Sequence, residues 1–113
     1  MTINEYQEEA MKLELGMERS MTETRTRMEK SMNELYPRLF NGLIGLNGEA
    51  GEAIDLLKKH IFQGHDLDKE HMAKELGDVA WYLAVSANAI GYDLETIFQM
   101  SVDKIKKTLS ERI

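Results

Sequence analysis

A chain of 113 residues carries one domain's worth of sequence, and with 42% apolar and 30% charged residues it has an ordinary globular composition. The formal net charge of −6 leaves no basic surface for a polymeric nucleic acid, and the absence of cysteine excludes disulfides, thiolate metal sites and cysteine nucleophiles. A small phosphate ligand stays compatible with acidity, because a bound divalent cation can supply the positive charge.

Residues 1–10 are polar and acidic, without the features of a signal peptide, and the longest apolar run, residues 79–85, is too short to span a bilayer. The expectation is a soluble cytoplasmic protein with no membrane partner. A lone domain of this size buries only roughly 60–70% of the surface of its unfolded chain, so oligomerisation is expected as well.

One proline, scattered glycines and few β-branched runs predict helix nearly throughout. The expected architecture is all-α and four-helix-bundle-like, a single domain over residues 1–113. A long first helix covers about residues 3–35, with a break near Gly16, and spaces Tyr6, Ala10, Leu13, Met17, Met21, Met28 and Met32 along it. Its charged middle, residues 18–30, reads as a solvated face. Pro37 marks the next break, since the residue before a proline is pushed out of helical geometry. A second helix is expected over residues 38–61, with Leu39, Leu43, Leu46, Ala53, Leu57 and Ile61 at helical spacing. After a polar connection, Asp68 reads as the N-cap of a third helix, with Leu67 and Met72 as a hydrophobic staple. That helix runs to about Ile90, where Gly91 suits a left-handed terminus. Asp93 caps a fourth helix with an apolar stripe of Leu94, Ile97, Phe98, Ile105 and Leu109.

Two short patterns carry the chemistry: Glu49-Ala50-Gly51-Glu52 on the second helix and Glu75-Leu76-Gly77-Asp78 on the third. Acids three apart share one helix face, so each pair can converge on one ion. A solvated acidic face is the ordinary reading of either pair alone. The neighbours argue otherwise, because Gly48, Ala50, Gly51, Ala53 and Ile54 surround the first pair and Leu76, Val79, Ala80, Trp81 and Leu83 the second. Burying carboxylates in such company requires a cation or hydrogen bonds, and small residues would let the two helices approach closely.

Register supports convergence. Glu52 lies roughly 13 Å before the end of its helix and Glu75 roughly 9 Å into the next, at about 1.5 Å per residue. An antiparallel hairpin would therefore bring the pairs within about one turn of each other. An all-oxygen ligand set suits Mg²⁺, with Mn²⁺ as a substitute.

The segment GLNGEAGEAIDLLKK, followed by ELGDVAWYLA with residues 53–74 between the second and third acids, resembles the MazG-type all-α nucleotide pyrophosphohydrolases. The likeness continues through AIGYDLETI and VDKIKK and covers roughly residues 39–107. It implies magnesium-dependent hydrolysis of a nucleoside or deoxynucleoside triphosphate between the α- and β-phosphates, in a helical homo-oligomer, a dimer or tetramer. Glu49, Glu52, Glu75 and Asp78 become the metal ligands, and Glu49 or Glu52 the base that takes a proton from the attacking water. The chain departs from the family pattern at Gly48, where a further acid is common, and at Ser101, where asparagine is common. It also lacks an arginine-tyrosine-proline stretch that is common after that position. The base and the phosphate and nucleobase contacts therefore stay open.

Among other residues, Lys59 falls near the face of Glu52 and could hold a phosphate oxygen, or it could simply complement the helix C-terminus. Lys104, Lys106 and Lys107 form a second positive cluster; a solvated face explains it, while the resemblance favours Lys104 as a phosphate contact. Asn41, eight residues before Glu49, could hydrogen-bond a base or ribose, and Trp81 or Tyr82 could stack on the base or pack in a core.

Two rival functions compete. His65-Asp66 suggests an HD-type phosphohydrolase with His60, Asp68 and His71 as further ligands, although the dyad falls in an expected loop. A non-catalytic, nucleotide-sensing or partner-binding helical oligomer would use the same bundle without turnover, and the charged first helix favours it.

Overall fold

The computed structural model describes residues 1–16, 18–30 and 35–112. Every secondary-structure element among them is a helix: α1 (Ile3–Gly16), α2 (Glu18–Lys30), α3 (Leu35–Gln63), α4 (Lys69–Ala89) and α5 (Leu94–Glu111). The chain divides into two compact units, Met1–Asn33 and Glu34–Ile113.

In the first unit, α1 starts in a capping box. The Glu5 N–H donates to Thr2 Oγ1 at 3.1 Å and the Thr2 N–H donates to Glu5 Oε2 at 2.9 Å. α1 is described to Gly16 and α2 from Glu18, and the break expected near Gly16 falls at Met17, outside the described residues. α1 buries no residue, and Tyr6, Leu13 and Met21 of the expected stripe are exposed. Met17 and Met32 of that stripe lie outside the described residues.

The second unit is organised by an antiparallel pair, α3 against α4. Here the expected boundary at Pro37 is corrected: α3 begins at Leu35 and includes the proline. Pro37 is the third described residue of α3, and a proline is tolerated in a helix's first turn because an N–H there is not needed for the intrahelical ladder. At the other end Gly64 takes a φ of +72°, open to a residue without a Cβ, and His60 Nδ1 donates to the His65 carbonyl at 2.7 Å. Asp68 caps α4, accepting from the His71 N–H at 2.9 Å. Gly91, at φ +83°, ends the turn after α4, and Asp93 caps α5 by accepting from the Thr96 N–H at 2.7 Å. That hydrogen bond holds the Asp93 carboxyl below its ordinary pKa.

Close approach of α3 to α4 happens at Gly42 and Gly45. A Cβ at Gly42 would meet Ser86, and one at Gly45 would meet the ring of Tyr82. Arg38 extends the same seam, donating from Nη2 to Asn88 Oδ1 at 2.7 Å. The expectation that the glycines beside the acids make the close approach is therefore corrected. Gly48, Gly51 and Gly77 have open space where a Cβ would stand.

The core of this unit is thin. Ala87, at 3% exposure, is the buried hydrophobic residue of the described set, and no large side chain there is fully buried. Leu94 and Ile97 at the start of α5 are half-buried, whereas Phe98, Ile105 and Leu109 farther along its stripe are exposed.

Candidate metal centre

The pairings along the α3–α4 seam run in antiparallel order, from Arg38 with Asn88 through Gly42 with Ser86 to Gly45 with Tyr82. Continuing one to two turns further brings Glu49 and Glu52 of α3 to Glu75 of α4. One ligand atom from each of these three carboxylates lies within 4.8 Å of the others, the grouping that could hold an ion among the described residues.

Their burial differs. Glu75 is 7% exposed, Glu49 is half-buried and Glu52 is exposed. Glu49 Oε2 and Glu75 Oε2 are both buried without a hydrogen-bond partner, which is costly for carboxylate oxygens. The Glu49 and Glu75 carboxyls are close enough to influence each other's ionisation. The hydrogen bond to Glu75, with burial and the charges of Glu52, Glu75 and Asp78, pushes the Glu49 carboxyl from 4.5 up to about 7. The proton on Glu49 in turn lowers Glu75, against the effect of burial, with Glu52 and His71 assisting. A cation in place of that proton would satisfy both orphaned oxygens at once. The donor set is all carboxylate oxygen, which suits a hard divalent ion.

Asp78 stands apart from the three. It is exposed and outside the close grouping, although its charge reaches Glu49. Lys59 is engaged by Asp55 at 2.9 Å, with Lys58 at 3.6 Å on the same carboxylate, and these lysines hold Asp55 below its ordinary pKa. Asn41 is exposed on α3, Lys104 is exposed on α5, and Trp81 is 66% exposed on α4. Tyr82, by contrast, is half-buried and packs over Gly45.

Two relationships were not foreseen. His71 Nε2 lies 3.1 Å from Glu75 Oε1, and Asp55 receives both lysines. The i,i+4 spacings of His71 with Glu75 and Asp55 with Lys59 were the available signals.

Over residues 42–111 the chain matches the MazG nucleotide pyrophosphohydrolase domain, a span that contains all four acids of the two motifs. The chain belongs to the MazG family. This MazG chain is also similar to the Gene 37 protein of Mycobacterium phage L5, at 34% identity over 67 residues. The aligned part covers 56% of this chain and 59% of the phage protein, so the match spans less than two thirds of that relative. No solved structure matches the chain. The family match favours the MazG-type reading over the HD-type one. His60, His65, Asp66, Asp68 and His71 form no ligand grouping among the described residues, and His65 and Asp66 sit in the connection between α3 and α4. No helix of the described residues is long and apolar enough to cross a membrane.

Proposed function

We propose that this MazG chain hydrolyses a nucleoside or deoxynucleoside triphosphate to a monophosphate and pyrophosphate, with Mg²⁺ as cofactor and Mn²⁺ as a substitute. The observation that carries the reading is the pair of orphaned, buried carboxylate oxygens on Glu49 and Glu75, beside Glu52, inside the family segment.

Glu49, Glu52 and Glu75 would hold the ion, with Asp78 completing the set from the exposed side of α4. When bound, magnesium polarises the phosphates, makes water a better nucleophile near neutral pH and offsets charge on leaving pyrophosphate. The chain's own residues do the rest. Glu49 or Glu52 accepts the proton of the water that attacks the α-phosphorus. Lys59 leaves Asp55 for a phosphate oxygen, an exchange its half-exposed position permits, and Lys104 adds a second positive contact. Asn41 hydrogen-bonds the base or ribose, and the exposed Trp81 ring stacks on the base.

Assembly into a homo-oligomer, a dimer or tetramer, belongs to the same reading. Ile54, Phe62 and Trp81 are exposed at 62%, 79% and 66% in the single chain, on the two helices that carry the acids. Ile54, Leu57, Ile61 and Phe62 line a shallow groove of about 330 Å³ that a second copy would cover. Contiguous apolar surface of this kind marks an interaction site in a globular protein.

A sensing or partner-binding oligomer without turnover is favoured by one observation, that the charged first unit falls outside the matched span. Turnover decides between the two. A panel of nucleoside and deoxynucleoside triphosphates with magnesium, products resolved by chromatography, should give monophosphate and pyrophosphate in equal amounts. Diphosphate and orthophosphate would place the cut elsewhere, and intact triphosphate throughout would leave the sensing reading.

A further inference from the structure

His71 stands in the first turn of α4, one turn before Glu75 and outside the three-carboxylate grouping. Its ring is half exposed, while the Glu75 side chain that it touches is 10% exposed. The backbone beneath the ring is fixed, because the Asp68 cap accepts the His71 N–H at 2.9 Å. From that anchored position Nε2 reaches Glu75 Oε1 at 3.1 Å.

The two oxygens of Glu75 are thereby made different. Oε1 has the imidazole as partner, whereas Oε2 is buried and has none. A carboxylate with a free χ3 torsion could present either oxygen, or both, to an ion. With Oε1 occupied by a ring donor, rotation of the group breaks a hydrogen bond, so one orientation is held before any ion arrives. Outer partners of this kind fix the orientation of a metal ligand, and losing one typically weakens metal binding by about 10–100-fold.

We propose that His71 is a positioning residue for the metal centre, holding Glu75 by its Oε1 so that Oε2 is presented to a divalent cation. The proposal rests on the metal-centre reading given above. It assigns His71 no contact with the ion or the substrate, and it requires the Nε2 position to act as a hydrogen-bond donor. Glutamine can place its amide N–H₂ near the same point; alanine cannot.

The test uses the full chain and Mn²⁺ alone, with free ion followed by electron paramagnetic resonance, so no turnover is needed. His71→Ala should weaken Mn²⁺ binding by about tenfold, and His71→Gln should recover most of that loss. The metal-free melting temperatures of both variants should stay within about 2 °C of the parent, since a single i,i+4 contact whose His71 ring is half exposed contributes little to the fold. Mn²⁺ affinity unchanged in His71→Ala would overturn the proposal and leave the metal centre standing, and so would a glutamine variant as weak as the alanine one. A parent chain that binds no Mn²⁺ would overturn the metal centre itself and this role with it.

Discussion

Glu49 and Glu75 face each other across the α3–α4 seam, each with one oxygen buried and unpartnered, and their closeness raises the Glu49 carboxyl while it lowers Glu75. The centre is thus a place where the fold accepts unfavourable electrostatics that a cation would relieve.

Stability should therefore depend on pH in an unusual direction. The Glu49 carboxyl titrates near 7 when folded and near 4.5 ordinarily. Between those values the folded chain keeps a proton that the unfolded chain has released, so metal-free stability falls as pH rises through the window. Glu75 works oppositely and lower: its pKa is depressed, so its contribution is present above 4.5 and lost as pH falls through the depressed value. Melting curves with chelator should give a lower melting temperature at pH 7.5 than at pH 5. Glu49→Gln should flatten that slope, and a parent-like slope in this variant would assign the titration to another group.

Magnesium should compete with the proton on Glu49. Added ion should stabilise the parent more at pH 7.5 than at pH 5, because a ligand that binds only the folded state stabilises through its affinity. Asp78→Asn should raise the metal-free melting temperature, by less than Glu49→Gln, since Asp78 is exposed and acts on Glu49 only through its charge. The same change should reduce the magnesium response. An intact magnesium response in Asp78→Asn would remove that corner from the ligand set.

The two acid motifs and the loop dyad separate by activity. Glu52→Gln should lower turnover by at least about a hundredfold, the lower end of what a positioned proton acceptor contributes. Changing both His65 and Asp66 to alanine should leave most of the activity. Initial rates with magnesium and the best triphosphate of the panel decide the matter, and the reverse pattern would reinstate the loop as the centre.

The glycines should divide by what stands opposite them. Gly45→Ala drives a methyl into the Tyr82 ring and should destabilise by about 1–3 kcal/mol. Gly51→Ala meets open space in a helix interior and should stabilise by about 0.5–1 kcal/mol. Denaturant unfolding of both variants checks this pair. Because Gly51 also lines the groove proposed for a second copy, a loss in place of the gain would mean that the copy packs directly on this residue.

Local chemistry was readable from the sequence because it is set by residues close together in the chain. Asp68, Asp93 and Gly91 stand where caps must stand, and the spacing of Glu49 with Glu52 and of Glu75 with Asp78 fixes which acids share a face. Pro37 misled because proline stops a helix interior but suits a first turn, and sequence alone does not say on which side of it the helix begins. Which oxygens are buried, and beside what, was decided by the α3–α4 packing. That packing put Gly42 and Gly45, rather than Gly48 and Gly51, at the close approach. It drew Glu49, Glu52 and Glu75 together while leaving Asp78 outside, and it buried the Glu75 carboxylate that His71 grips. Helical periodicity assigns a residue to a face, but the rotation and separation of two packed helices determine how far across the seam each side chain reaches.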